Sequence, residues 1–197
     1  MNVDAIIMAA GLSKRMNQNK LKMKIGDKHI YEYIFEAVKN CTGCFKDVIV
    51  VAKDNDVLRK ASETGFNYVK NEESFLGQSV SIRLGVQKAG LVDGFMFFVA
   101  DQPYIKEKTI KKLLKAFEEN PDKIIIPCCN QTNGNPVIFP YVFREQLMNL
   151  SGDAGGKSII KKNSDGLLNV DFKSDYEFTD IDTMEDYDRA VKKKVKY

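Results

Sequence analysis

Small, basic and acidic residues in this chain stand where phosphate chemistry would need them. The stretch Ala9-Ala10-Gly11-Leu12-Ser13-Lys14-Arg15-Met16 follows an apolar run, Val3 to Met8, and Lys20 comes shortly after. Small residues let backbone N–H groups close on phosphate oxygens, and Arg15 and Lys20 add fixed positive charge. A triphosphate needs that charge, because its α-phosphorus must be made electrophilic and the departing pyrophosphate neutralised. Asp101, in Asp101-Gln102-Pro103, directly follows a second apolar run, Phe95 to Ala100, and Asp182 stands just before a helix-like segment. Magnesium takes one or two protein carboxylates and fills its shell with phosphate oxygens and water, so Asp101 and Asp182 are its candidate ligands. The alternatives are an ordinary strand-to-loop turn and two capping or turn aspartates. Gly77-Gln78-Ser79 opens a further helix, where N–H and hydroxyl groups could meet a base or ribose, or Ser79 could simply cap the helix.

Named phosphate motifs do not fit. The 9–20 loop lacks the second glycine of a P-loop, and Gly-x-Gly-x-x-Gly is absent. Gly152-Asp153-Ala154-Gly155-Gly156-Lys157-Ser158 ends like a P-loop, but Ser151 replaces the first glycine and a helical pattern precedes it, so a P-loop kinase is rejected. The only histidine, His29, lies away from every motif and reads as a surface or helix-start residue. Cys41-x-x-Cys44 and the vicinal pair Cys128-Cys129 make a poor zinc set and read as reduced structural thiols.

The elements that must position these residues alternate. Strands are predicted over Val3–Met8, Asp47–Ala52, Asn67–Lys70, Phe95–Ala100 and Lys123–Pro127. Helices are predicted around Ile30–Val38, Asp56–Glu63, Ser79–Ala89 and Ile110–Phe117. That order implies a parallel sheet covered on both faces, with ligands beyond the carboxyl ends of its strands. A strand at Val137–Phe139, a helix at Tyr141–Leu150 and a last helix after Thr183-x-x-Asp186, a capping-box pattern, complete the chain. The 197 residues fit one domain, with 1–128 as the nucleotide-binding half and 129–197 as an acceptor-side elaboration on the same sheet. A hydrophobic share of 44% supplies a core, and a formal charge of +3 with only short basic runs argues against nucleic acid as a partner. No apolar run is long enough for a membrane span and no secretory pattern opens the chain, so the cytoplasm is the expected compartment.

The ordered set Ala-Ala-Gly-Leu-Ser-Lys-Arg-Met (9–16), Asn-Lys-Leu (19–21), Gly-Gln-Ser-Val-Ser-Ile-Arg (77–83), Asp-Gln-Pro (101–103), Gly-Asn-Pro-Val-Ile-Phe-Pro (134–140), Gly-Asp-Ala-Gly-Gly-Lys (152–157) and Asp-Ile-Asp-Thr (180–183) resembles the MobA-like nucleotidyltransferases, in particular their molybdenum cofactor cytidylyltransferase branch. The resemblance implies a three-layer α/β/α fold with a mostly parallel, Rossmann-like sheet of the nucleotide-diphospho-sugar transferase type. It implies Mg2+-dependent transfer of CMP from CTP to a molybdopterin-type acceptor, and leaves room for a transient contact with a molybdoenzyme or its maturation factor. It puts Ala9, Ala10, Gly11, Leu12, Ser13, Arg15, Lys20, Gly77, Gln78 and Ser79 on the nucleotide. Arg15, Lys20 and Asp101 become the catalytic set, Asp101 and Asp182 the metal ligands, and Asn135, Asp153 and Gly155 face the acceptor. The loop departs from the family by carrying Asn17 where glycine is common. Rival readings are a guanylyltransferase or sugar-phosphate nucleotidyltransferase of the same fold, and a non-catalytic cofactor-binding chaperone.

Overall fold

The computed structural model describes residues 1–193 except Leu12, Lys14, Asn17 and Thr42; the expected nucleotide-loop residue Leu12 and Lys194 of a basic run therefore lie outside the described residues. The strands are β1 (Val3–Ala9), β2 (Lys24–Ile25), β3 (Lys28–His29), β4 (Val48–Ala52), β5 (Asn67–Lys70), β6 (Gly94–Val99), β7 (Ile124–Cys129), β8 (Thr132–Asn133), β9 (Val137–Pro140) and β10 (Leu167–Asp171). The helices are α1 (Ile30–Asn40), α2 (Asn55–Thr64), α3 (Gln78–Lys88), α4 (Glu107–Glu119), α5 (Arg144–Met148), α6 (Lys157–Lys162) and α7 (Met184–Lys193).

The main sheet runs β10-β7-β9-β6-β1-β4-β5, with β8 paired to β7. The β1–β4, β1–β6, β4–β5 and β7–β10 pairs are parallel, while β9 is antiparallel to both β6 and β7. The sheet is thus mostly parallel, and the late strand β9 enters its middle.

Its two faces are packed separately, because successive side chains of a strand point to opposite sides. Ile7, Val50, Met96 and Phe98 join one cluster with Ile34, Val57, Leu113 and Phe117 of α1, α2 and α4. Ile6, Ile49, Phe95 and Phe97 join the other with Ile82 and Val86 of α3, Leu147 of α5 and Ile159 of α6. Each such fully buried side chain contributes about 1.5–3 kcal/mol. β1 and β6 are buried almost end to end, as strands covered on both faces must be. A Cβ at Gly85 would stand 2.5 Å from Ile6, so glycine there lets α3 approach β1 closely.

The helix expected over Tyr141–Leu150 is shorter. A 3₁₀ turn at Tyr141–Phe143 follows Pro140, and only Arg144–Met148 is α-helical. The capping box forms: Asp186 N–H donates to Thr183 Oγ1 at 3.2 Å, and Thr183 N–H donates to Asp186 Oδ2 at 2.9 Å. His29 stands at the start of α1, its N–H donating to Glu32 Oε2 at 2.8 Å. Cys41 is buried, and burial pushes its thiol up to about 12, which makes it inert as a nucleophile. No helix among the described residues is long and apolar enough to cross a membrane.

Candidate active site

The site is built where β1 and β6 end. Ala100 N–H donates to Met8 O at 3.1 Å, fixing the tip of β6 against β1 and projecting Asp101 beyond the sheet. Ile181 then brings in the second carboxylate. Its side chain is buried in the core and its N–H donates to Asp101 O at 3.0 Å, which sets Asp182 beside Asp101. Gln102, 2% exposed, steadies the same segment: its Nε2 donates to Phe178 O at 2.9 Å and to Asp180 Oδ1 at 2.7 Å.

The loop after β1 is closed by its own polar groups. Lys20 N–H donates to Ser13 Oγ at 3.2 Å, and Met16 N–H donates to Ser13 O at 3.0 Å, with Ser13 at a positive φ of 47°. Asn19 caps the 3₁₀ turn that carries Lys20, and the buried Leu21 anchors it. The Lys20 ammonium donates to Asp101 Oδ2 at 2.6 Å and to Asp182 Oδ1 at 2.7 Å. Arg15 Nη2 donates to Asp182 Oδ2 at 2.7 Å. Burial alone would lower the Lys20 ammonium, but Asp101 and Asp182 outweigh it and hold it above the ordinary lysine range. Burial likewise opposes Asp182, yet Lys20 and Arg15 keep its carboxyl below the usual range. Asp180 is open to solvent on one side; the protein packed on its other side, and then the Asp101 charge, raise it to about 6.

The third wall is the start of α3. Gly77 has φ +108°, and a Cβ there would overlap the Gly152 backbone, so only glycine lets the 152–153 loop pack on this turn. Ser79 N–H donates to Gly152 O at 3.2 Å, and Arg83 Nη1 to Leu150 O at 3.0 Å. Asn71, fully buried, donates to Ser81 Oγ at 2.9 Å and accepts from Glu73 N–H, which positions the loop bearing Ser74.

Two cavities result. One of 380 Å³ is lined by Ala10, Gly11, Ser13, Lys20, Ser74 and Gly77 among others. The other, of 820 Å³, has an apolar floor including Phe97, Phe139 and Ile160, and polar walls including Asn135 and Lys157. They share Arg15, Gln78, Asp101 and Asp182 in their walls. Of the residues expected at a nucleotide, Ala9 is buried behind the smaller cleft and Ser79 lies beside it. Of those expected at an acceptor, Asn135 lines the larger cavity. Asp153 lines the smaller one, and Gly155 packs against the Gln78 side chain. Ser81, in the 77–83 stretch expected near base and ribose, lines the smaller cleft. Ser74, Thr132, Asn133, Asp180, Lys157 and Lys161 also line these walls without having been given a role from the sequence. Of these, Lys157 closes the 152–157 stretch as a basic residue and Asp180 opens Asp-Ile-Asp-Thr, while the others carry no local signal.

Three buried side-chain oxygens have no hydrogen-bond partner among the described residues: Ser74 Oγ, Ser79 Oγ and Asp101 Oδ1. Each such group costs about 1–3 kcal/mol when left unmet, and all three stand in or beside the smaller cleft, where a ligand would meet them. A divalent ion fits this donor set. Asp101 and Asp182 face one common point, Asp101 keeps a free oxygen, and no three carboxylate, imidazole or thiol groups converge among the described residues. That leaves the rest of the shell to phosphate oxygens and water, as magnesium prefers.

Comparison with known proteins agrees with this architecture. The MobA-like NTP transferase domain model matches residues 5–167. A bifunctional protein GlmU of Clostridium kluyveri is 32% identical over 121 residues, 58% of this chain and 25% of that protein, so the match spans a quarter of the relative's length. A molybdenum cofactor guanylyltransferase of Campylobacter jejuni subsp. doylei is 26% identical over 191 residues, 89% of this chain and 94% of that one. Among solved structures, the Rv0371c homologue from Mycobacterium sp. strain JC1 superposes with a TM-score of 0.82 at 21% identity, covering 98% of this chain and 96% of the other. The manganese complex of Rv0371c from Mycobacterium tuberculosis gives 0.77 at 18% identity, covering 98% and 99%. These structures share the fold, and with the family model matching most of its length, the chain belongs to the MobA-like NTP transferase domain family.

Proposed function

We propose that this protein transfers a nucleoside monophosphate from a nucleoside triphosphate to the phosphate of a small-molecule acceptor, releasing pyrophosphate. The observation that carries this reading is the meeting of two cavities at Arg15, Gln78, Asp101 and Asp182. The smaller cleft takes the triphosphate, with the 9–20 loop on the phosphates and the Gly77–Ser79 turn toward base and ribose. The larger cavity takes the acceptor, with Asn135 on its wall and the 152–155 loop at the boundary.

In this reading an acceptor phosphate oxygen attacks the α-phosphorus in line as the α–β phosphoanhydride bond breaks. The electron pair leaves with pyrophosphate, whose charge Arg15 and Lys20 neutralise. A phosphate nucleophile is already anionic near neutral pH, so no strong base is needed, consistent with His29 standing at the start of α1, away from both cavities. Asp101 and Asp182 would hold a divalent ion, Mg2+ by preference, which when bound supplies Lewis-acid neutralisation of the phosphates. A solved structure of the same fold, Rv0371c, was obtained as a complex with manganese, which supports a divalent ion as the cofactor here.

For the donor we favour CTP and for the acceptor a molybdopterin-type cofactor. The resemblance of the 9–16 stretch, which opens with Ala9-Ala10, to the cytidylyltransferase branch is what favours CTP. The similarity to a molybdenum cofactor guanylyltransferase favours the same acceptor class and makes GTP the second reading. Calorimetric titration with CTP, GTP, ATP and UTP, with and without Mg2+, separates them. Preference for Mg-CTP supports the first reading and preference for Mg-GTP the second. Absence of any Mg2+-dependent nucleotide binding overturns both.

A further inference from the structure

A cation already stands between the two carboxylates assigned to the divalent ion. The Lys20 ammonium is 2.6 Å from Asp101 Oδ2 and 2.7 Å from Asp182 Oδ1, and its side chain is only 9% exposed. An ammonium and a divalent ion cannot both sit within contact of one small carboxylate pair without strong repulsion in so sheltered a place. Without some cation, Asp101, Asp180 and Asp182 would repel one another. We infer that Lys20 is a built-in competitor of the divalent ion. It holds the carboxylate pair while the cleft is empty and yields it when a triphosphate offers the ammonium a new partner.

The local structure allows such an exchange. The Lys20 backbone is pinned by Ser13 Oγ and by the Asn19 cap, so the turn stays in place while the long side chain moves. Lys20 itself lines the 380 Å³ cleft together with Gly11 and Ser13, where phosphate oxygens would draw it. Asp101 Oδ1 has no hydrogen-bond partner among the described residues, so the ammonium does not saturate the pair. Arg15 also holds Asp182, but its side chain is 68% exposed and therefore screened by water. The consequence is an order of events in which the ion settles on Asp101 and Asp182 together with the nucleotide rather than before it.

The inference rests on Asp101 and Asp182 being the ion's ligands, and its test needs neither nucleotide nor acceptor. Mn2+ alone is titrated into the full chain, with free Mn2+ followed by electron paramagnetic resonance. Wild type, Lys20→Met, Lys20→Gln, Lys20→Arg and Lys20→Met/Asp101→Asn are compared, with thermal melts confirming that each is folded. Neutralising Lys20 by either substitution is expected to tighten Mn2+ binding by about tenfold or more, even though the same variants lose turnover. Lys20→Arg keeps the charge and stays weak, and adding Asp101→Asn removes the gain. Equal Mn2+ affinity in wild type and the neutral variants, with Asp101→Asn still abolishing it, overturns the competition and leaves the metal site standing. No Mn2+ binding sensitive to Asp101 in any variant overturns both.

Discussion

The two cavities that meet at Arg15, Gln78, Asp101 and Asp182 are built in opposite ways. The smaller is walled by small residues and by charged side chains drawn from compact segments: the loop after β1, the turn before α3, and the tip of β6. The larger is walled by side chains from β6, β7, β9, α5 and α6 over an apolar floor. Phosphates demand fixed donors and fixed charge, which a parallel sheet supplies at the carboxyl ends of neighbouring strands. On the proposed reading an acceptor demands shape, for which the inserted antiparallel strand β9 and the short helix α6 provide walls. The first requirement constrains residue type at close spacing, and the second leaves many sequences acceptable.

The largest expected effect falls where the cavities meet. Asp101→Ala should lower kcat by roughly a thousandfold, equivalent to about 4 kcal/mol, while the thermal melt stays cooperative; near-normal turnover would remove Asp101 from the centre. Next, Gly77→Ala should damage chiefly the nucleotide side. It forces a side chain into the Gly152 backbone at positive φ, and should cost about 1–3 kcal/mol of stability and weaken triphosphate binding measured by calorimetry. Unchanged binding and melting would mean that the Gly77–Gly152 packing is dispensable. A smaller effect is expected from the other side. Lys157→Ala with Lys161→Ala should raise the acceptor KM by about tenfold and leave triphosphate affinity untouched. A shift in triphosphate affinity instead would erase the distinction between the cavities.

The smallest effect concerns Asp180. Its folded carboxyl is raised to about 6 from an ordinary 3.8, so the folded state binds the proton more readily. Stability contributed by this group is present below about pH 4 and is lost as pH rises toward 6. Asp180→Asn should therefore raise the melting temperature slightly at pH 8 and leave it unchanged below pH 4. A gain of equal size at both pH values would contradict the raised carboxyl.

Much of this was readable before any coordinates. β1, β4, β6 and β7 announce themselves as apolar runs and β5, Asn-Tyr-Val-Lys, only as a short strand between two helical patterns, while the Asp101 and Asp182 positions follow from where such runs and the last helix begin or end. The hairpin β2–β3, with two residues per strand, and β8, equally short, carry too little pattern to register. β10, Leu-Leu-Asn-Val-Asp, alternates only weakly at the sheet's edge. That β9 enters the sheet centre, antiparallel between β6 and β7, is a tertiary fact with no local signal. The same holds for the site. The basic loop and the two aspartates show themselves by type. The Ile181 N–H to Asp101 O bond that joins them, the Gln102 bridge to Asp180, and the seat of Lys20 between two carboxylates appear only when the chain is folded.

The most direct test of the central claim uses CTP labelled at the α-phosphate, Mg2+ and a molybdopterin-type acceptor, with wild type beside Asp101→Ala. The label should move to the acceptor in step with pyrophosphate release in wild type and stay on CTP in the variant. Nucleotide binding without transfer or pyrophosphate release, with each of the four triphosphates in turn, would contradict nucleotidyl transfer at the junction of the two cavities.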